Sequence, residues 1–194
     1  MLKDKLNTIN IILASGSPRR QQFFKEMDLH YTIRLKEIDE IYPEHLKAEE
    51  ITNFLAELKA SAFENELNAN DVLVTSDTIV WLNGKALGKP KDYADAFKML
   101  QELSNTTHEV ITSVCLKTIE KTEVFHCVTK VTFANLSDKA ITYYLDNYKP
   151  FDKAGSYGIQ DWIGLIGISN IEGSYTNVVG LPTEMLFQKL LNYV

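Results

Sequence analysis

Strands and helices alternate along this sequence, which predicts an α/β chain. Two stretches carry that expectation. Ile11-Ile12-Leu13-Ala14 is a short apolar run that reads as a buried strand, then Ser15-Gly16 reads as a tight turn into a helix. Asp71 to Leu82 is strongly β-prone and mostly apolar on both sides, so it reads as a second buried strand.

The remaining elements follow in order. Ser17 is a good N-cap and Pro18 suits the first helical position, so a helix should run through Gln21, Phe23, Phe24 and Met27. Tyr31 to Leu35 reads as a strand, and Lys36 to Pro43 as an acidic loop. Ile51, Phe54, Leu55, Leu58 and Ala62 recur at helical spacing, which predicts a long amphipathic helix from about Ala48 to Glu66. Asn83-Gly84 signals a hairpin and Gly88-Lys89-Pro90 a turn. Asp92 can cap a helix from Tyr93 to Leu103 with Ala94, Phe97 and Leu100 or Met99 inward. His108–Thr118 and Thr122–Phe133 read as paired antiparallel strands, and Ser137 starts a helix from Asp138 to about Tyr148. Phe151 to Gln160 reads as a glycine-punctuated loop entering a strand, followed by segments 164–169 and 171–179. Pro182 opens a terminal helix carrying Met185, Leu186, Lys189 and Leu190.

Composition narrows the function. The chain has 194 residues, 45% of them hydrophobic, enough for one domain with a real core. A net charge of −6 argues against a nucleic-acid binder, which needs a basic face. No apolar run reaches membrane-spanning length, and residues 1–10 lack the apolar stretch of a signal peptide, so a cytoplasmic location is expected, without a membrane partner. Two cysteines, Cys115 and Cys127, make no disulfide framework, and with His126 they fall short of a zinc site.

The chemistry concentrates at a few positions. Only three residues are arginines, and two of them, Arg19 and Arg20, fall in the first turn of a helix. Cations are disfavoured there unless an anion is held by the same free N–H groups. Arginine is also the side chain suited to gripping phosphate through two bonds. The alternative is a solvated surface pair. Lys59 sits at the edge of an apolar helix stripe, where it either snorkels to water or reaches over the rim of a pocket. Asp77 interrupts an apolar strand, where an ionised carboxylate needs a cation or metal unless it caps a strand end. A regular strand would place Asp77 and Thr78 on opposite faces, so the backbone must bend or end if both meet one ligand.

Ala14-Ser15-Gly16-Ser17-Pro18-Arg19-Arg20 resembles the opening signature of the Maf family of nucleoside-triphosphate pyrophosphatases, also described as inhibitors of septum formation. The resemblance continues through Asp39-Glu40, Leu58-Lys59-Ala60, Ser76-Asp77-Thr78, Gly88-Lys89-Pro90, Tyr157-Gly158-Ile159-Gln160 and Asn177-Val178-Val179-Gly180-Leu181-Pro182, in the family's order. It implies one Maf-like domain over residues 1–194, with an α/β fold shared with inosine-triphosphate pyrophosphatases: a mixed sheet with flanking helices and two lobes around a central cleft. It also implies attack of water on a nucleoside triphosphate, giving a monophosphate and pyrophosphate. A divalent metal is implied, magnesium or manganese with cobalt as a third candidate. The oligomer it leaves in view is a homodimer.

By the same resemblance Ser15, Arg19, Arg20, Lys59 and Lys89 hold phosphate, Asp77 is the proton acceptor, and Glu40 joins Asp77 at the metal. Arg19, Thr78 and Gln160 match the subgroup acting on dTTP and UTP rather than 7-methyl-GTP. A glutamine amide donates and accepts at once, which suits the carbonyl and N3–H edge of a pyrimidine. Modified pyrimidines belong to the same expected set, and nucleotide-pool housecleaning is the implied role. One position departs: the family has glycine after Gln160, this chain has Asp161, and alternation along a strand would turn that carboxylate outward.

The competing function is a nucleotide-binding regulatory or division-inhibiting module with little turnover. Asp77 and Glu40 separate the two, since a binder needs no water-activating carboxylate beside a triphosphate. A purine-type pyrophosphatase is opposed by Arg19 and Gln160.

Overall fold

A computed structural model of the chain describes residues 6–194. The first half of the segment read for a signal peptide, residues 1–5, lies outside the described residues. Hydrogen-bonded strands run in the order β2 (Tyr31–Ile33), β1 (Asn10–Leu13), β3 (Asp71–Leu82), β5 (Thr107–Lys117), β6 (Thr122–Phe133) and β7 (Ile168–Glu172), with β4 (Lys85–Leu87) on β3. The chain divides into two compact units, one formed by residues 1–77, 112–127 and 180–194, the other by 78–111 and 128–179.

In the first unit β1 (Asn10–Leu13) lies parallel to β2 (Tyr31–Ile33) and to the start of β3 (Asp71–Leu82), with Leu13 opposite both Ile33 and Val74. Parallel neighbours require crossovers. These contain α1 (Pro18–Glu26) and α2 (Glu49–Ser61). Ile11, Leu13, Val72 and Val74 pack with Phe24 of α1 and with Leu186 and Leu190 of the terminal helix Thr183–Leu190. Ile12 and Leu73 point the other way, onto Ala56 and Ala60 of α2. Both faces are therefore covered, which is why the strands read as continuous apolar runs.

The second unit starts within β3, whose continuation pairs antiparallel with β4 (Lys85–Leu87). Asn83 and Gly84 between them have φ of 50° and 79°, the doubly left-handed conformation of a type I′ turn. α3 (Tyr93–Leu103) is capped by Asp92, which accepts from Asp95 N–H at 2.8 Å. Its buried stripe is Ala96, Leu100 and Leu103 with Phe97 packed at the edge; Leu100 and Phe97 face inward as expected, whereas Ala94 is exposed. α4 (Asp138–Tyr148) starts at Ser137, whose hydroxyl accepts from Ala140 N–H. Ile141, Tyr144 and Leu145 of α4 join Leu100, Val131 and Phe133 in this unit's core. β5 (Thr107–Lys117) and β6 (Thr122–Phe133) carry residues of both units.

Three expectations change. The helix predicted to Glu66 ends at Ser61, because Phe63 turns into the core and Asn65 takes a left-handed φ of 63° that brings the chain round to β3. The strand predicted to Leu35 ends at Ile33, with Arg34 N–H still reaching Leu13 carbonyl. Most clearly, Gln160 does not enter a strand. It precedes α5 (Trp162–Gly167), and only Ile168–Glu172 forms a strand, β7, antiparallel to β6. Segment 171–179 then ends in α6 (Tyr175–Val179). The glycines explain the change: a Cβ on Gly164 would lie 1.9 Å from Ile159 carbonyl oxygen, and one on Gly167 2.8 Å from Leu136. They let a short helix sit against neighbouring chain.

Candidate active site

In the first unit, β1 delivers the chain into α1 as the sequence predicts. Ser17 is the N-cap, accepting from Arg20 N–H at 3.5 Å, with Pro18 beginning the helix. Ser15 Oγ accepts from Ser17 N–H at 3.3 Å, and Gln21 Nε2 donates to Ser15 carbonyl at 3.1 Å, so the turn is fixed on both sides. Arg19 is half-buried in the first turn.

Arg20 folds back onto the protein. Its Nε donates to Gly180 carbonyl at 2.8 Å, and its Nη1 to Ser76 carbonyl at 2.9 Å and Ser15 Oγ at 3.4 Å. Gly180 has φ 123°, a conformation other residues rarely adopt, and this aims its carbonyl at the guanidinium. Burial draws the Arg20 pKa below its ordinary value, while the Asp77 carboxylate pushes it back up.

Lys59, in the last turn of α2, is the centre of a charge cluster. Its Nζ lies 2.6 Å from Asp77 Oδ1, 3.0 Å from Glu40 Oε1 and 3.4 Å from Ser76 carbonyl. The Asp77 side chain is only 10% exposed and that of Lys59 15%, whereas Glu40 is 49% exposed. Asp77 is thus a largely buried carboxylate held by a cation, and β3 runs through it without ending. Lys59 Nζ is thus turned onto carboxylates of the protein.

The donor chemistry fits a hard divalent cation. Glu40 and Asp77 offer carboxylate oxygens that already converge on one positive charge. Among the described residues no group of three or more His, Cys, Asp and Glu side chains could hold a metal, so water and substrate oxygens would have to complete the shell.

Thr78, Lys89 and Gln160 belong to the second unit. Thr78 is half-buried on β3. Lys89 is exposed at the bend before Pro90, next to Gly88, whose carbonyl accepts from Gly155 N–H at 3.1 Å. Gln160 is exposed, directly after buried Ile159. Asp161 is not turned outward: its Oδ2 accepts from Tyr144 hydroxyl at 2.7 Å. Tyr157 of the same motif is tied to His108 Nε2 at 2.7 Å. Burial pushes His108 down to about 4. Cys115 is buried, and burial pushes its thiol up to about 12.

Sequence reasoning missed the structural work of Gly180 and of the Ser76 carbonyl, because main-chain acceptors leave no side-chain signal. It also missed Tyr144, a buried tyrosine indistinguishable by spacing from core packing.

The fold is of a known class. It is similar to the Staphylococcus aureus Ham1 protein, with TM-score 0.51 at 20% identity over 93% of this chain and 99% of that one. Residues 10–193 match the family model of Maf-like proteins, and the chain belongs to that family. Among its relatives is a dTTP/UTP pyrophosphatase of Flavobacterium psychrophilum, 68% identical over 193 residues and covering 100% of this chain and 99% of that protein. A dTTP/UTP pyrophosphatase of Flavobacterium johnsoniae is 64% identical over 194 residues, covering 100% of both.

Proposed function

We propose that this protein hydrolyses dTTP and UTP, and modified pyrimidine forms of them, to the nucleoside monophosphate and pyrophosphate, clearing the cytoplasmic nucleotide pool. The observation that carries this reading is the buried Asp77 carboxylate, bonded to Lys59 at 2.6 Å. The 68% and 64% identical relatives named for that activity support the choice of substrates.

The residues divide the work as follows. Ser15, Arg19 and Arg20 hold phosphate at the start of α1, where the helix supplies free N–H groups and a positive dipole end. Lys59 and Lys89 add positive charge against the charge that builds up on the phosphate oxygens. Asp77 accepts the proton of the attacking water, and the hydrogen bond from Lys59 aims it. Glu40 and Asp77 are the groups that would hold magnesium or manganese, which when bound polarises the phosphates. Arg19, Thr78 and Gln160 select the base, Gln160 through the two-way amide that matches a pyrimidine edge.

The test is a product assay with Mg²⁺ or Mn²⁺ over a panel of triphosphates. Monophosphate and pyrophosphate from dTTP and UTP are expected, with turnover lowered by roughly 10²–10⁴ in Asp77→Asn. Diphosphate and phosphate as products, or wild-type turnover in that variant, would overturn the reading.

A further inference from the structure

The loop that presents Gln160 has no strand to hold it. It is held instead by a buried hydroxyl. Tyr144, fully buried on α4, donates to Asp161 Oδ2 at 2.7 Å and accepts from Gly158 N–H at 3.0 Å. One oxygen therefore ties the two residues that flank Ile159 and Gln160. The main chain closes the same turn, Asp161 N–H donating to Gly158 carbonyl at 3.0 Å and Gly164 N–H to Asp161 carbonyl at 2.9 Å.

Gly158 completes the arrangement. A Cβ built there would lie 2.6 Å from Asp161 Oδ2 and 3.0 Å from Gln160 Nε2. Both side chains thus lie over the bare Cα of Gly158, with the Gln160 amide set beside the Asp161 carboxylate that Tyr144 fixes. Gln160 is itself exposed, and this local frame is what lies against its amide.

We propose that Tyr144 and Asp161 are positioning residues that set the Gln160 amide for reading the base, with Gly158 as the platform it lies on. This rests on the reading that Gln160 selects the pyrimidine. Asp161 directly follows Gln160 in the chain. Its carboxylate is engaged by Tyr144 instead of confronting the base. The step is purely one of orientation: an amide turned by one rotamer presents its N–H₂ where the carbonyl should be, which exchanges the preference for an acceptor with that for a donor.

The experiment measures kcat/KM for dTTP and dGTP, with Mg²⁺, in the full chain and in Tyr144→Phe, Asp161→Ala, Asp161→Asn and Gln160→Ala, together with each variant's melting temperature. Tyr144→Phe and Asp161→Ala should lower the dTTP to dGTP ratio by roughly tenfold, as loss of positioning does. Asp161→Asn keeps an acceptor for the tyrosine hydroxyl and should restore the ratio. An altered ratio in Gln160→Ala with unaltered ratios in Tyr144→Phe and Asp161→Ala would overturn the positioning inference alone. An unaltered ratio in Gln160→Ala would overturn the base-reading role of Gln160 and this inference with it. Equal losses for both nucleotides in Tyr144→Phe and Asp161→Ala would make the pair merely structural and overturn the inference too.

Discussion

Replacing Lys59 by methionine removes the cation and keeps the length of the side chain. Asp77, with 10% of its side chain exposed, then has neither Lys59 nor ready access to water. Breaking a buried ion pair from one side costs about 3–5 kcal/mol. The lower end applies, because Glu40 is 49% exposed and relaxes into solvent at little cost. The expected loss is about 3 kcal/mol, a drop in melting temperature of about 6–12 °C for a chain of this size. Asp77→Asn is milder, about 1 kcal/mol, since Lys59 keeps Glu40 at 3.0 Å and Ser76 carbonyl at 3.4 Å. The double variant Lys59→Met/Asp77→Asn no longer buries an unpaired charge, so it should cost about 2 kcal/mol rather than the sum of about 4, a coupling of about 2. Urea unfolding of the four proteins at pH 7.5 measures the cycle. Additivity within about 0.5 kcal/mol would refute the claim that the pair is a coupled, largely buried unit.

Three further outcomes are expected. His108 is neutral in the fold with its pKa at about 4 against an ordinary 6.5, so the unfolded chain takes up the proton first as pH falls through that window. Stability is then lost progressively below pH 6.5, by about 2 kcal/mol at pH 5 and about 3 at pH 4, and this loss should vanish in His108→Gln, measured by urea unfolding against pH; an unchanged slope would remove His108 as its cause. Arg20→Lys keeps the charge and loses the fork to Gly180 and Ser76, so melting should fall by about 4–8 °C, and an unchanged melting temperature would contradict the bracing role. Gly164→Ala forces a methyl to 1.9 Å from Ile159 carbonyl and should cost about 3 kcal/mol; full stability in urea would show that α5 does not sit as tightly as described.

The parts of the fold readable in the sequence are those where one local signal decides the element. The N-cap and proline at Ser17-Pro18, the Asn83-Gly84 turn, the caps Asp92 and Ser137, and the full extent of β3 all occur where expected. Segment 160–172 differs from its strand-like pattern because its deciding signal is not local. Short apolar runs containing glycine suit a strand and a buried helix equally. What decides is the close packing of Gly164 on Ile159 and of Gly167 on Leu136, contacts that exist only in the folded chain. The same holds at the site. Asp77 stands out because a carboxylate in an apolar strand is an electrostatic anomaly, whereas spacing alone leaves its partner Lys59 between snorkelling to water and reaching over a rim. Asp161 was placed outward by a strand alternation that does not exist there.

The adjacent arginines show why separated motifs can belong to one site. Arg19 and Arg20 are indistinguishable by composition, yet consecutive helical positions lie on different sides of the helix. Arg20 donates to Ser15 Oγ of its own motif, to the Ser76 carbonyl next to Asp77, and to Gly180 carbonyl near the end of the chain. Those acceptors lie 5, 56 and 160 residues away in sequence. A lysine has no rigid fork with which to make these bonds together. This accounts for an arginine at position 20, in a chain whose other basic residues are nearly all lysines. It also accounts for the glycine at 180, whose positive φ turns the third acceptor toward it. The bracing fixes the Ser76 carbonyl that Lys59 also approaches, so the start of α1 and the Lys59–Asp77 pair are held by a common peptide group. A charge placed by that peptide cannot move independently of the turn that opens α1.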